Sequence, residues 1–277
     1  MAKNKNWVKR MATILGKKTV GRLETLQYAN KKFEWGNVVI GISAWYGFWA
    51  WILARLTKRK VIYYCIDFYS PEIAENWIDK IFIFLAMQLD KFLIHHVDYL
   101  WDISDKINEG RWIYGKYKRK SLIIPLSYPP NYLRYSNEHM KNIVFIGLNP
   151  YGKEIWPKDT EWLGKGNMKT PILLDELSVR GIGLSVWEKK GNNYYGDPGK
   201  TKLYSACGLP VIVTDNTPYA DKIKETNAGI VVRYTKRDIE RAARRIFKKY
   251  RYYKKNTLKT RKYINADHIF RNISILE

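Results

Sequence analysis

Cysteine, histidine and acidic residues are all scarce in this chain of 277 residues, which has two Cys, four His and only 26 Asp and Glu. Cys65 and Cys207 fall in a strand-like and a helix-end setting with no partner spacing, so we expect two buried free thiols in a reducing compartment. No zinc-binding spacing of Cys and His is present. The first residues, Met1 to Arg10, are basic and have no apolar core, and we therefore expect no secretory signal peptide.

An apolar run of membrane-spanning length is missing as well. The nearest run, Val38 to Ala54, falls short of the roughly 20 residues that cross a bilayer, and two glycines and a serine interrupt it. The run divides instead into a strand from Asn37 to Ile42, a turn, and a helix from about Tyr46 to Leu56. With the next apolar segment, Val61 to Ile66, this pattern predicts a strand-helix-strand unit.

Positive charge is abundant, because 49 Lys and Arg against 26 Asp and Glu give a formal net charge of +23. Much of it lies in Arg55 to Lys60, in Arg111 to Lys120, and in Arg233 to Lys262, which holds fourteen basic residues and two acidic ones. Aromatic residues are interleaved, and the chain has eleven Trp. This mixture suits an anionic membrane surface, which we favour, but it also fits nucleic acid or ordinary solvated helix faces.

The most informative segment runs from Gly196 to Asp215. Asp197 is a good helix N-cap, Pro198 suits the first helical position, and Gly199 allows a ligand to approach the backbone. Backbone amides and Lys200 can then face one anion together. The segment therefore predicts a phosphate site at the start of a short helix.

The rest of this segment predicts the end of that helix and a buried strand. Gly208 supplies a helix stop, and Pro210 follows it closely. Val211 to Val213 is an apolar, β-branched run of the kind that forms strands covered on both faces of a parallel sheet. Ligands in such sheets bind where strands lead into helices.

The segment resembles the donor-binding region of GT-B glycosyltransferases of the group 1, family 4-like kind. The matching residues are Asp197, Pro198, Lys200, Tyr204, Ala206, Cys207, Gly208, Leu209, Pro210, Val211 and Ile212. The resemblance implies an α/β fold with two Rossmann-like domains facing across a cleft. The N-terminal domain is expected to be abbreviated, since a basic segment stands where these enzymes have their first strand and glycine-rich loop.

Two domains are expected on this basis. Residues 1–130 would form the acceptor-side Rossmann-like domain, and residues 131–277 the nucleotide-sugar-binding Rossmann-like domain with basic C-terminal helices. The proline-containing segment Tyr128 to Tyr132 is the expected linker, because its two prolines favour an extended path.

The donor site is expected to use Asp197, Gly199, Lys200 and Tyr204. Lys200 would neutralise the donor diphosphate, whose negative charge grows as it departs. Its alternative role is that of a solvent-exposed lysine in a first helical turn. Tyr204, one turn after Lys200, would contact the donor or fill core space.

Three further residues complete the predicted sites. Trp187 and Glu188 follow a strand and would hold the base and ribose, although Trp187 equally suits core packing. Asp67 ends an apolar strand and is the candidate general base for an inverting reaction, a role that the resemblance also implies. Its alternative is a carboxylate that caps a loop.

The predicted function is transfer of a sugar from a nucleotide diphosphate sugar to a glycan or lipid-linked acceptor at the cytoplasmic face of a membrane. No metal or other cofactor is expected, because Lys200 and a helix N-terminus can replace a cation. An anionic membrane surface is an expected partner, whereas nucleic acid is not. The alternative is a non-catalytic basic protein that binds anionic lipid or nucleic acid, or an inactive accessory protein.

Overall fold

The structure, a computed structural model, describes residues 22–32, 38–74, 76–112, 119–147, 152–163, 170–188, 192–271 and 273. The chain divides into two compact units, Met1–Pro125 with Phe270–Glu277, and Leu126–Ile269. The basic segment before Arg22 lies outside the described residues, as does much of the predicted cluster from Arg111 to Lys120.

The first unit is built on a parallel sheet of four strands in the order β1-β2-β3-β4. Its helices and strands follow in chain order as α1 Arg22–Lys32, β1 Val38–Ile42, α2 Ser43–Leu56, β2 Lys60–Cys65, α3 Trp77–His96, β3 Tyr99–Asp102, α4 Asp105–Gly110 and β4 Leu122–Ile123.

The apolar run from Val38 to Ala54 is divided between a strand and a helix, as predicted. Strand β1 ends at Ile42 and α2 begins at Ser43, so the helix starts three residues before the predicted Tyr46. Ser43 has a φ of 65°, and this left-handed residue makes the sharp change of direction without a separate turn. Among the described residues, no helix has the length and apolar character needed to span a bilayer.

A buried ion cluster ties three elements of the first unit together. The Arg111 guanidinium donates to Asp90 on α3 and to Asp102 at the end of β3, each at 2.8 Å. Both carboxylates are buried, and the hydroxyl of Tyr63 donates to Asp90 as well at 2.6 Å. Charges taken out of water are tolerated when they are paired in this way.

The second unit contains a parallel sheet of five strands in the order β6-β5-β7-β8-β9. Its elements are β5 Ile143–Ile146, β6 Thr160–Leu163, α5 Thr170–Ser178, β7 Ile182–Ser185, α6 Asn192–Tyr195, α7 Gly199–Ala206, β8 Val211–Thr214, α8 Ala220–Thr226, β9 Gly229–Val232, α9 Lys236–Lys248, α10 Tyr250–Thr257 and α11 Ala266–Phe270.

The sequence between α7 and β8 folds as predicted. Helix α7 ends at Ala206, and Gly208 follows with a φ of 73°, a conformation that glycine adopts without steric cost. All four residues of β8 are buried, and the strand pairs in parallel with β7 and β9. The apolar run therefore forms a central strand that is covered on both faces.

The predicted linker around Tyr128 is a packed part of the second unit. Tyr128 is buried, its N–H donates to the Ile264 carbonyl at 2.7 Å, and its own carbonyl accepts from Ala266 N–H at 2.9 Å. The first crossing between the units lies earlier, between Pro125 and Leu126. Pro129 has an extended backbone, but Pro130 begins a short 3-10 helix, Pro130–Tyr132, and Tyr128 pairs with the C-terminal segment at Asn265.

The two cysteines are buried free thiols, as expected from their sequence settings. Cys65 ends β2 and Cys207 caps α7. Burial raises the pKa of the Cys207 thiol to about 12. Both therefore act as small apolar core residues.

Candidate functional site

The candidate site lies at the carboxyl-terminal edge of the second sheet. In a parallel sheet these strand ends lie together, and they are where α/β proteins bind ligands. Gly147 follows β5, Trp187 and Glu188 follow β7, and Asn216 follows β8. Lys200 is the second residue of α7.

The Lys200 ammonium lies over two aromatic rings. Its Nζ is 4.2 Å from the ring centre of Phe145 and 4.7 Å from that of Trp187. Aromatic faces attract cations, so this arrangement holds the charge in a partly buried position. Burial lowers the pKa of Lys200 from 10.5 to about 8. The lysine therefore resides where a nearby anion would strongly favour its charged form.

Gly147 makes room for this lysine. The residue has a φ of 138°, and a Cβ placed on it would lie 2.7 Å from both Cε and Nζ of Lys200. Such separations are far below van der Waals contact, so a larger residue would displace the ammonium. The absence of a side chain at Gly147 thus fixes where the Lys200 charge lies.

Two hydrogen bonds of its backbone hold Trp187 in place just after β7. Its N–H donates to the Thr214 hydroxyl at 3.1 Å, and the Asn216 amide donates to its carbonyl at 2.6 Å. The side chain is 7% exposed, and its indole Nε1 has no hydrogen-bond acceptor among the described residues. The ring fills the core and forms one wall beside Lys200, so the core-packing alternative is supported and the contact with a base remains a prediction.

Glu188 is exposed and lies near Tyr234, which follows β9. The pKa of Tyr234 is raised to about 12 by burial, by its hydrogen bond to Glu154, and by the charges of Glu154 and Glu188. The Glu188 side chain is therefore exposed at the strand edge, close enough to Tyr234 to affect its pKa, and its contact with a ribose remains a prediction.

The predicted role of Asp197 as an N-cap is wrong. Pro198 is the N-cap residue of α7, and no side chain caps that end. The Asp197 carboxylate instead accepts from the Leu126 N–H at 2.6 Å and pairs with the Lys202 ammonium. Its side chain is 4% exposed, so it faces inward and fastens the start of the helix instead of meeting a ligand.

Tyr204 is a core residue and not a donor contact. The side chain is fully buried, and its ring packs so closely on Gly183 that a Cβ there would lie 2.3 Å from Cγ. Its hydroxyl accepts from Ile146 N–H at 2.8 Å and donates to the Leu184 carbonyl at 3.3 Å. Burial raises the pKa of the Tyr204 phenol. The core alternative is the one that the structure supports.

Gly199 begins α7 and is half-buried. Its carbonyl accepts from the Tyr128 hydroxyl at 3.2 Å, and an added Cβ would lie 3.1 Å from Leu126 Cδ2. Close packing therefore accounts for a glycine at this position. The predicted approach of a ligand to its backbone remains a prediction.

Asp67 lies in the first unit, in the loop that follows β2. Its carboxylate is half-buried and accepts a hydrogen bond from the Ser43 hydroxyl at 2.5 Å. The bond joins the loop after β2 to Ser43, the first residue of α2, so both the loop-fastening role and the general-base role stay open for Asp67. The described residues contain no cluster of three or more His, Cys, Asp or Glu side chains with metal-site geometry.

A sequence profile of the family described as "Glucosyltransferase 3-like, C-terminal domain" matches residues 129–275, which is more than half of the chain. The chain belongs to this family. No curated protein matches the chain. In the glucosyltransferase 3-like chain, the matched region includes all of β5 to β9 and the whole candidate site.

Solved structures of glycosyltransferases share the fold. Sucrose-phosphate synthase from Thermosynechococcus elongatus aligns with a TM-score of 0.62 at 12% identity, over 90% of this chain and 74% of that one. HepE of Anabaena, solved with UDP and glucose, aligns with a TM-score of 0.63 at 11% identity, over 89% of this chain and 78% of that one. WaaG, a glycosyltransferase involved in lipopolysaccharide biosynthesis, gives 0.54 at 11% identity, over 81% and 80%. The glucosyltransferase 3-like chain thus has the GT-B fold of Rossmann-like α/β sheets that was predicted.

Three residues of the candidate site were not singled out from the sequence. Phe145 and Gly147 lie at the end of an apolar strand, and Asn216 lies just beyond another. A glycine directly after a buried strand was the available signal for Gly147. Phe145 carried none, because an aromatic residue in an apolar strand is indistinguishable from core.

Proposed function

We propose that this chain transfers a sugar from a nucleotide diphosphate sugar to a glycan or lipid-linked acceptor at the cytoplasmic face of a membrane. The observation that carries the proposal is the Lys200 ammonium, held over Phe145 and Trp187 at the carboxyl edge of the sheet with Gly147 beneath it. A partly buried cation at this edge suits a pyrophosphate.

The chemistry that the donor site supplies is charge stabilisation. When the sugar leaves, negative charge grows on the nucleoside diphosphate, and a cation already in place lowers the barrier. Lys200 serves that purpose, and the N-terminus of α7 adds the partial positive charge of its amides. This pair requires no metal ion at the diphosphate.

The donor is a nucleotide diphosphate sugar, with uracil as the base to test first. HepE of Anabaena was solved with UDP and with UDP-glucose, and it shares the fold at low sequence identity. Glu188 is exposed at the same strand edge and offers acceptor oxygens for ribose hydroxyls. Asp67 would take the proton from the acceptor hydroxyl if the anomeric centre inverts.

The first experiment measures binding of UDP and UDP-glucose by calorimetry, with donor hydrolysis as the readout of turnover. Lys200→Ala should weaken binding by about 30-fold or more, because losing one partner of a partly buried charge pair costs about 2 kcal/mol or more. Hydrolysis should collapse with it. Lys236→Ala, an exposed lysine at the start of α9, is the matched control and should behave as the parent.

A non-catalytic polyanion-binding protein is the second candidate. Helix α9 carries exposed Arg237, Arg241, Arg244, Arg245 and Lys248 along one side, which is a surface for phosphate groups. Equal UDP-glucose binding by the parent and a folded Lys200→Ala variant, together with tight, salt-sensitive binding to polyanion, would favour that candidate over the enzyme.

A further inference from the structure

Helices α2 and α3 of the first unit expose an unusual set of large apolar side chains. The set, which we term the aromatic face, consists of Trp45, Trp49 and Leu56 on α2 and Trp77, Phe82 and Phe84 on α3. Their exposed fractions range from 41% at Trp45 to 79% at Leu56. Clustered apolar exposure of this kind marks a binding surface, in contrast to single scattered residues.

The two helices present this face together. Trp45 and Phe82 lie edge to face with ring centres 6.5 Å apart, which joins the α2 part to the α3 part. On α2, Trp49 and Leu56 are two turns apart and therefore point to the same side. On α3, Phe82 points to a different side from Trp77 and Phe84. The exposed Ile78, Ile81 and Leu85 lie between them around the helix, so the apolar surface continues from α2 across α3.

Helix α2 reverses the usual distribution of residues on a surface helix. It buries its small residues, Ala44, Gly47, Ala50 and Ala54, against the sheet and α3, and it leaves two of its three tryptophans, Trp45 and Trp49, exposed. A helix that only had to cover a core would bury the large apolar side chains and expose polar ones. Packing within the unit therefore does not account for the outward tryptophans.

The charges next to the aromatic face indicate what covers it. Residues 38–60 contain no Asp or Glu, and α2 leads into exposed Lys58, Arg59 and Lys60. A second copy of the chain would bring another +23 charge to the same place, which disfavours self-association. Duplex nucleic acid would contact the cations and leave the tryptophans in water, and Leu56, the most exposed residue of the face, has no ring on which a base of a single strand could stack.

We propose that the aromatic face docks onto an anionic phospholipid bilayer. Helix α2 would lie in the plane of the interface, with Trp45, Trp49 and Leu56 at the boundary between headgroups and acyl chains. Lys58 and Arg59 would contact the lipid phosphates, each adding about 1 kcal/mol near an anionic surface. This inference rests on the proposed function, because a docked aromatic face would hold the protein at the membrane that carries its acceptor. Docking itself can be tested with lipid vesicles alone.

The experiment measures co-flotation of the full chain with vesicles of phosphatidylglycerol and phosphatidylcholine, compared with phosphatidylcholine alone. The parent should float with the anionic vesicles. The double variant Trp49→Glu with Leu56→Glu should bind at least about 100-fold more weakly, because two large apolar side chains no longer leave water on binding. Tyr252→Glu, an equally exposed aromatic on α10, is the control and should float as the parent does.

Two further double variants test how much the cations contribute to lipid binding. Lys58→Gln with Arg59→Gln should lower affinity about 30-fold, whereas Arg241→Gln with Arg244→Gln on α9 should change it much less. Flotation of the Trp49 and Leu56 variant at parental levels would overturn the proposal. The proposal would also be overturned if the parent forms a dimer in sedimentation experiments, that variant stays monomeric, and neither binds lipid. UDP binding by the same variants, which the proposal expects to be unchanged, separates a failure here from a failure of the donor site.

Discussion

Lys200 combines two properties that rarely occur together in a lysine, namely charge and partial burial. Its ammonium lies over Phe145 and Trp187, and burial lowers its pKa to about 8. In the folded protein the protonated form is therefore less favourable than in the unfolded chain, where the pKa is near 10.5. Without a ligand, the charged Lys200 destabilises the fold, which is typical of residues kept for binding.

This destabilisation gives a pH-dependent prediction. Between about pH 8 and pH 10.5, Lys200 is protonated more fully in the unfolded chain than in the folded one. The free-energy cost of burying the charged Lys200 is therefore fully present below pH 8 and disappears as the pH rises through that window. Lys200→Met should therefore be more stable than the parent at neutral pH, and its advantage should shrink near pH 10. Urea unfolding at the two pH values measures this, and an advantage that stays constant with pH would contradict it.

Residues at the ends of the strands in the second sheet determine which side chains line the candidate site. Gly147 after β5 leaves space for the Lys200 ammonium, whereas Gly183 within β7 leaves space for the Tyr204 ring. The two glycines thus perform different tasks on the same sheet. One shapes the site and the other allows a helix to pack closely on the strand.

Substitution of these two glycines should separate binding from stability. Gly147→Ala places a methyl group where the Lys200 ammonium lies, so UDP binding should weaken about tenfold or more, at a stability cost of about 1–3 kcal/mol from its backbone conformation. Gly183→Ala forces the buried Tyr204 ring to shift and should cost about 3 kcal/mol or more. Parental UDP affinity in folded Gly147→Ala would contradict the placement of Lys200.

Over the whole molecule, the sequence predicted the order of strands and helices well where apolar runs were short and bounded by breakers. Val211 to Thr214 and the segment from Val38 to Leu56 are examples, because each is limited by residues with strong local preferences. The position of Lys200 at the start of a helix was predicted for the same reason, since a lysine after Pro198 and Gly199 is a local signal.

The direction in which a side chain points could not be predicted from local sequence patterns. Tyr204 shares a helix face with Lys200 by spacing, but its ring enters the space over Gly183, and that contact joins residues far apart in sequence. Asp197 is a residue type that commonly caps helices, but its carboxylate forms an ion pair with the buried Lys202 ammonium instead. Tertiary contacts overrode local preference at both positions.

The charge of the whole chain, +23, is distributed over both units. Lys58, Arg59 and Lys60 are exposed in the first unit, and the side of α9 is exposed in the second. Lys200 is distinct from these cations, because it is partly buried beside aromatic rings and lies at the edge of a sheet. The proposed membrane contact and the proposed donor contact therefore depend on separate groups of cations.

The pKa of Lys200, measured with and without UDP, tests the central claim most directly. Lysine labelled with ¹³C at Cε allows the titration to be followed by NMR, and Lys200→Arg assigns the signal. We expect a pKa of about 8 in the free protein, rising by at least about one pH unit with saturating UDP, because an adjacent pyrophosphate favours the charged form. A Lys200 pKa that UDP leaves unchanged would contradict the claim that this ammonium binds the donor diphosphate.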